Sequence, residues 1–208
     1  MRGQTEALSA VLISGILIAV VGSVYFWGIP LIQKNKDNSV LDTSEAFMAG
    51  LDQKIKFVAN NGGRDVVVIK VPGIVRFDGR TIELTIDTEG TLYAVDSPIP
   101  LGRTSLSTLK TDFSTVPPTQ YGTWGVDDPV LFNVKSSEIT KNAYLTKYTL
   151  DYVELRNDKT LKDYNIDLQG GGVGGQDRTI IVESLGDRSD LRSNGRTLIS
   201  SLVKITIV

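Results

Sequence analysis

The sequence contains neither cysteine nor histidine among its 208 residues. Without cysteine there are no disulfides and no thiolate chemistry, and without histidine there are no imidazole bases. Together the two absences exclude most zinc and transition-metal sites. No Asn-x-Ser/Thr sequence occurs, so N-glycosylation is not expected. We therefore expect a protein that is not an enzyme, with no catalytic, metal-binding or cofactor-binding residues.

The sequence also lacks an excess of positive charge. Its 22 Lys and Arg residues face 24 Asp and Glu residues, for a net charge of -2. Nucleic-acid binding needs clustered Lys and Arg that neutralise phosphates, so we expect no nucleic-acid partner. The charge is uneven, because the only charged side chains before Gln33 are Arg2 and Glu6.

What the N-terminal region has instead is a long apolar run from Ala7 to Ile32 without one charged residue. At about 1.5 Å per residue, a helix of this length crosses a hydrocarbon layer of roughly 30 Å. Tyr25, Phe26 and Trp27 lie near its end, where aromatic rings favour the membrane–water interface. The run predicts a single-pass membrane helix over residues 4–32, weakened in its last turn by Pro30.

The start of the chain, MRGQTEALSAVLISG, places Arg2-Gly3-Gln4 directly before the apolar run. This resembles the class III signal peptide of archaeal type IV pilins. The resemblance implies that a prepilin peptidase removes residues 1–3, cutting between Gly3 and Gln4 on the cytoplasmic side. The helix then stays as a membrane anchor and later as the core of a surface filament, with the C-terminal domain extracellular. Members of this family often carry Glu as the fifth mature residue, whereas Glu6 would be the third.

Other interpretations of the N-terminus stay open. A conventional secretory signal has a shorter apolar region and a small-x-small cleavage site, which this sequence lacks. An ordinary uncleaved signal anchor fits the same residues. The flanking charges, Lys34 and Lys36 against Asp37 on one side, do not determine the orientation in the membrane.

Small residues recur along the predicted membrane helix. Gly15, Ala19 and Ser23 are spaced by four and so share one helical face. Small residues at this spacing let helices approach closely in lipid. Together with Glu6, they are the candidate positions for packing against other pilin subunits, although such a triplet also arises by chance.

A polar linker is predicted over residues 33–41, followed by an amphipathic helix over residues 42–61. Asp42 and Glu45 suit a helix N-terminus, and the sequence Asn-Asn-Gly-Gly at 60–63 suits its end. The helix has an apolar stripe that steps by three and four residues, with one serine in it: Leu41, Ser44, Met48, Leu51, Ile55 and Val58. The stripe predicts a helix that covers the following domain, or a partner helix.

Residues 62–208 contain short runs rich in β-branched and aromatic residues, separated by Gly, Pro, Asp and Asn. No long amphipathic helix lies between them, which argues against a parallel α/β sheet. The predicted fold is therefore α+β: a long N-terminal membrane helix, a second amphipathic helix, and a predominantly antiparallel extracellular β domain, either a sandwich or a rolled sheet.

Two motifs in this region invite a functional interpretation. The run GGGVGG at 170–175 lacks the Lys-Ser/Thr of a phosphate-binding loop, so a flexible hairpin loop is predicted. Asp163 to Asp167 has the D-x-N-x-D opening of a calcium loop, but Leu168 stands where the turn requires Gly. A structural cation there is the minor alternative.

The end of the sequence, residues 202–208, alternates apolar and polar side chains, with Val203, Ile205 and Ile207 on one face. We expect a strand paired inside the sheet, and the alternative is a strand donated to a neighbouring subunit. Residues 97–128 have no clear period; their Tyr121 and Trp124 are either buried or part of an adhesive face. Two function classes result: a pilin-like filament subunit, and a signal-anchored surface-binding protein that does not polymerise.

Overall fold

A computed structural model describes residues 2–101 and 119–208, with the side chains of 9–101 and 121–208. These ranges contain one helix and eleven strands. In chain order they are α1 (Arg2–Asn61), β1 (Arg64–Val68), β2 (Ile74–Phe77), β3 (Ile82–Thr88), β4 (Ile99–Pro100), β5 (Thr119–Tyr121), β6 (Val130–Thr140), β7 (Ala143–Tyr152), β8 (Glu154–Asn157), β9 (Lys162–Gly175), β10 (Thr179–Leu191) and β11 (Thr197–Ile207).

α1 is continuous across residues 33–41, where the sequence predicts a linker between two helices. The structure therefore has one helix in place of a membrane helix and a separate second helix. Polar residues in a helix interior each cost less than about 1 kcal/mol. A continuous helix must be nucleated only once, whereas two separate helices must be nucleated twice. Asp42 and Glu45 consequently lie inside the helix and do not cap it, and Pro30 is also internal.

The predicted apolar stripe is correct in its residues. All six side chains are at most 1% exposed and pack in the core. The helix ends where the sequence predicts: Gly62 has a φ of 74°, and its N–H donates to the Val58 carbonyl at 2.9 Å. Burying each large apolar side chain contributes about 1.5–3 kcal/mol, so the second half of α1 is part of the β domain's core.

The strands form one sheet in the order β1-β10-β11-β9-β2-β3-β7-β6-β4, with β8 joining β9 to β5. Most neighbours are antiparallel, and the parallel pairs are β9 with β11 and β5 with β8. The fold is thus α+β, with a long apolar N-terminal helix and a large, mostly antiparallel sheet, as the sequence predicts.

β9 connects the two halves of the sheet. Its residues 162–171 pair with β11, and its residues 172–175 pair with β2. The run GGGVGG is therefore strand and not the predicted hairpin loop. A Cβ at Gly170 would overlap the Ile205 carbonyl oxygen, and one at Gly174 would lie 2.5 Å from Ile207 Cγ2. Glycine is required because the backbone of β9 approaches β11 so closely.

β11 lies inside the sheet between β10 and β9, which confirms the expectation of a paired strand at residues 202–208. Val203 and Ile205 are buried against the stripe of α1 and the inward side chains of β9 and β10. Of the poorly patterned stretch 97–128, residues 102–118 lie outside the described residues.

Candidate functional site

The first half of α1 presents its apolar side chains to the outside. From Val11 to Ile32 the large apolar side chains are more than half exposed, and none of the most apolar segment, of mean hydropathy 2.2, is buried by the rest of the described chain. α1 is thus long and apolar enough to cross a membrane. A helix that is apolar on every side requires lipid or partner helices around it.

The exposed aromatic residues lie together at the end of this segment. Tyr25, Phe26 and Trp27 are 64%, 84% and 85% exposed, and they occupy three successive positions around the helix. Side chains with an apolar ring and a polar atom favour the boundary between hydrocarbon and water. The three rings lie in the last two turns of the apolar half of α1.

The candidate packing residues lie on this exposed half. Gly15, Ala19 and Ser23 share one face of α1, and a Cβ at Gly15 would meet no atom of the described residues within 4 Å. The Ser23 hydroxyl donates to the Ala19 carbonyl at 2.8 Å, which satisfies it within the helix. The face is therefore smooth and open to a close neighbour. Gly3, Gln4 and Glu6 belong to α1 by their backbone, and their side chains lie outside the described residues.

Two tyrosines, Tyr148 of β7 and Tyr93 of the loop after β3, hold α1 where its buried half begins. The Tyr148 hydroxyl donates to the Leu41 carbonyl at 2.9 Å, and the Tyr93 hydroxyl donates to the Glu45 carboxylate at 3.1 Å. The two hydroxyl oxygens are 3.0 Å apart. Burial raises the pKa of Tyr93 to about 12 and the pKa of Tyr148 further still. Both tyrosines are neutral donors at physiological pH.

A second set of contacts holds α1 two to three turns further on. Lys56 forms ion pairs with Asp52 at 2.6 Å and with Asp128 at 2.7 Å. The Tyr152 hydroxyl donates to Asp52 at 2.8 Å. Burial raises the pKa of the Asp52 carboxyl above its ordinary value. With the Lys54–Asp65 pair at 2.8 Å, these contacts fix the rotation of the helix on the sheet.

The first carboxylate of the D-x-N-x-D motif pairs with arginine. Asp163 is fully buried, and Arg196 donates to both of its carboxylate oxygens at 2.6–3.0 Å. These hydrogen bonds hold the pKa of Asp163 below its ordinary value. Arg192 joins the cluster by its own contact with Asp163 at 3.4 Å, and it also pairs with Glu154 at 2.6 Å. Across residues 2–101 and 119–208 no group of three acidic side chains is arranged to hold a metal ion.

The two aromatic residues of the segment before β6 differ in their surroundings: one ring is exposed, and the other packs against the sheet. Tyr121 is 74% exposed, whereas Trp124 stacks on Tyr164 with ring centroids 5.9 Å apart. Trp124 also packs against the small cluster of Leu131 and Leu155. The adhesive face considered for these two residues thus retains only Tyr121 as an open ring.

A cavity with both polar and apolar walls lies where α1 leaves the sheet. Its volume is about 670 Å³, and its walls are α1 on one side and the loops after β3 and β6 on the other. The residues that line it are Ile29, Pro30, Gln33, Lys34, Asp37, Glu89, Gly90, Thr91, Asn142 and Tyr144. The cavity therefore joins the end of the apolar half of α1 to the base of the β domain.

Asp37 is the most unusual group in this cavity. It is only 5% exposed, and Gln33 donates to its Oδ1 at 3.2 Å. Its Oδ2 is buried and accepts no hydrogen bond from the described residues. Buried carboxylate oxygens are nearly always paired, so this oxygen requires an explanation.

Sequence reasoning places Asp37 in a linker and assigns it no role. A signal was present, because Asp37 is four residues before Leu41 and so continues the stripe by one turn. The tyrosine contacts and the Asp163 cluster join segments far apart in the chain, which a single sequence does not reveal.

Comparison with known proteins adds no relationship to this geometry: no protein-family model, no curated protein and no solved structure matches the chain.

Proposed function

We propose that the chain is a pilin-like, single-pass surface protein. Its helix is cleaved between Gly3 and Gln4 by a prepilin peptidase, anchored in the cell membrane, and then packed with other subunits in a type IV-like filament. The β domain lies on the extracellular side. The protein acts as a structural subunit and not as an enzyme.

One observation carries the proposal. α1 is a single helix whose first half is apolar and exposed on all sides, while its second half is the core of a β domain. Such a helix transmits any packing of its first half rigidly to the domain. The Arg2-Gly3-Gln4 start of the sequence supports cleavage just before the apolar run of this helix.

The processing step is tested by intact-mass and N-terminal peptide analysis of the protein from its native membranes. We expect the mature protein to begin at Gln4, and we expect Gly3→Val to block cleavage. Retention of Met1 or Arg2 in the mature wild-type protein would contradict the pilin proposal and favour the signal-anchored binding protein.

The assembly step is tested with a matched pair of variants. Ala19→Leu places bulk on the face shared with Gly15 and Ser23, whereas Ala10 lies nine residues earlier and so on the opposite face at 3.6 residues per turn. We expect Ala19→Leu to abolish filaments in electron micrographs of cells and Ala10→Leu to retain them. Equal assembly of both variants would exclude this face as the contact.

The second candidate function keeps the same anchor but requires no self-association. The exposed ring of Tyr121 is the observation in its favour, since open aromatic rings are common in binding surfaces. An uncleaved protein that stays monomeric in the membrane would support this candidate.

A further inference from the structure

The unpaired oxygen of Asp37 points to a ligand for the cavity at the base of the domain. Its neighbour Oδ1 already accepts from Gln33, so the side chain is fixed in place by one hydrogen bond. A buried carboxylate oxygen without a donor loses its hydration without compensation. A molecule that carries hydroxyl or ammonium donors would restore the missing hydrogen bond.

The other polar groups around the cavity suit a molecule with several hydroxyl groups. Thr91, Asn142 and Tyr144 line the side opposite α1, and each has both donor and acceptor capacity in its side chain. The volume of about 670 Å³ falls in the range of small-molecule sites, roughly 300–1,000 Å³.

The position of the cavity along α1 identifies the source of such a molecule. Ile29 and Pro30, at its lower end, are two and three residues beyond Trp27, or about 3–5 Å along the helix. Lipid head groups occupy roughly the first 5–8 Å outside the hydrocarbon layer. Asp37 lies five residues, or about 7–8 Å, beyond Ile32, where the apolar run ends, and so at the outer edge of the head-group layer.

The charges are arranged in the order that such a head group requires. Lys34 lies between the lower end of the cavity and Asp37, where a lipid phosphate would pass. The acceptor Asp37 lies deeper, next to Gly90, where an added Cβ would lie 3.4 Å from Oδ2. A head group that enters from the membrane side would therefore meet the Lys34 ammonium first and the Asp37 carboxylate second.

We propose that this cavity binds the polyhydroxyl head group of a membrane lipid, with Asp37 accepting hydrogen bonds from its hydroxyls and Lys34 pairing with its phosphate. This inference depends on the membrane anchoring in the proposed function. The bound head group fixes the angle and depth of the β domain relative to the membrane before the subunit is assembled.

The test uses the full chain in a nonionic detergent, titrated with phosphatidylinositol or with phosphatidylcholine and examined by native mass spectrometry. We expect the wild type to retain phosphatidylinositol at least about tenfold more tightly, since hydrogen bonds to a charged group contribute that much. Equal retention of the two lipids would overturn the proposal.

Two variants change the cavity in independent ways. Asp37→Leu removes the acceptor, and Gly90→Ala places a methyl group beside Oδ2 without altering the helix. We expect both to lose the preference for phosphatidylinositol. Asp42→Asn, an exposed acid on the same helix outside the cavity, is the control and should keep it. Thermal unfolding of each variant separates loss of binding from loss of folding, and retained preference in a folded Gly90→Ala variant would overturn the proposal.

Further arms distinguish the source of the hydroxyls and the role of the membrane. Free myo-inositol that competes as well as the lipid would overturn the assignment to a lipid. An Asp37→Leu variant that changes self-association but not lipid retention would show that a second copy supplies the donor, which also overturns it. A wild-type chain that fails to enter vesicles would instead refute the proposed membrane anchoring.

Discussion

The two halves of α1 are parts of one helix, and they differ in how their apolar residues are arranged. In residues 9–32 apolar side chains occur all around the helix and are exposed, whereas in residues 41–59 they form one buried stripe. A stripe needs a single neighbouring surface, and the sheet provides it. An all-round apolar surface needs surroundings that the described part of the chain does not provide. The comparison shows that the arrangement of apolar residues, more than their number, distinguishes the two environments.

Separating the two halves of α1 should have the largest effect. We expect residues 33–208, which keep Asp37 and Leu41, to form a soluble monomer with a cooperative thermal transition, whereas the full chain requires detergent. Light scattering and circular dichroism measure both properties. A fragment that stays soluble only with detergent would show that the membrane boundary lies further along the helix than Ile32.

Removing residues 202–208 should have the next largest effect. The deletion takes the end of β11 from between β10 and β9, together with the buried side chains of Val203 and Ile205. Those two side chains alone contribute about 1.5–3 kcal/mol each, out of about 5–15 kcal/mol for a whole domain. We expect the soluble fragment to lose its thermal transition.

Val208→Ser is the control for this deletion, because it alters only a side chain that is 53% exposed. A shortened fragment that remains a stable monomer but no longer assembles would instead support a strand donated to a neighbour.

The same substitution in each half sharpens the comparison. Leu51→Ala removes a fully buried side chain, and we expect it to lower the free energy of unfolding by about 2–5 kcal/mol. Leu17→Ala removes an exposed one, and we expect a change below about 0.5 kcal/mol. Chemical denaturation of the full chain in detergent measures both. Equal effects would show that the exposed half also packs on the domain.

The buried ion pair of Asp163 tests the stability of the sheet on which the second half of α1 packs. Asp163→Asn should lower the free energy of unfolding at neutral pH by about 2 kcal/mol, since hydrogen bonds to charged groups contribute about 1.5–3. The hydrogen bonds from Arg196 lower the pKa of Asp163 below its ordinary value of 3.8. Its contribution is therefore fully present above that pH and is lost as the pH falls through the lowered pKa.

The difference between wild type and Asp163→Asn should accordingly shrink below pH 3.8, in urea titrations of the soluble fragment at several pH values. Asp190→Asn is the matched control, since its ion pair with Arg188 at 2.8 Å is exposed. It should change stability by less than about 1 kcal/mol. A constant difference down to pH 2 would contradict the buried pairing.

Both helical patterns were predictable because periodicity is a local property of the sequence. The stripe from Leu41 to Val58 and the uncharged run from Ala7 to Ile32 each identify an environment directly. The helical conformation of residues 33–41 was not predictable, because polar residues have only weak secondary-structure preferences. The helical segments on both sides decide their conformation. The continuation of the stripe to Asp37 was the one available sign.

The strand β9 shows the opposite limit. Its Asp, Asn and Gly residues are typical of turns, yet it pairs along most of its length with β11. That parallel pairing is non-local, so no window of the sequence contains it. The cavity at Asp37 is a similar case, because α1, the loop at 89–91 and the hairpin between β6 and β7 meet only in the fold. By contrast, the shared face of Gly15, Ala19 and Ser23 could be predicted from the sequence, because it depends only on helical spacing.

The smallest expected effect comes from Tyr148→Phe, at the point where the buried half of α1 begins. The change keeps the ring and removes the hydroxyl that donates to the Leu41 carbonyl at 2.9 Å. Tyr93 keeps its own hydrogen bond to Glu45, so the loss is that of one neutral hydrogen bond, about 1 kcal/mol. For a domain of this size the melting temperature should fall by about 2–4 °C. Tyr121→Phe, at an exposed ring, should leave it unchanged. An effect of Tyr148→Phe as large as that of Leu51→Ala would contradict this expectation. It would show that the Tyr148 hydroxyl positions α1 on the sheet, and that this contact matters as much as a buried side chain of the stripe.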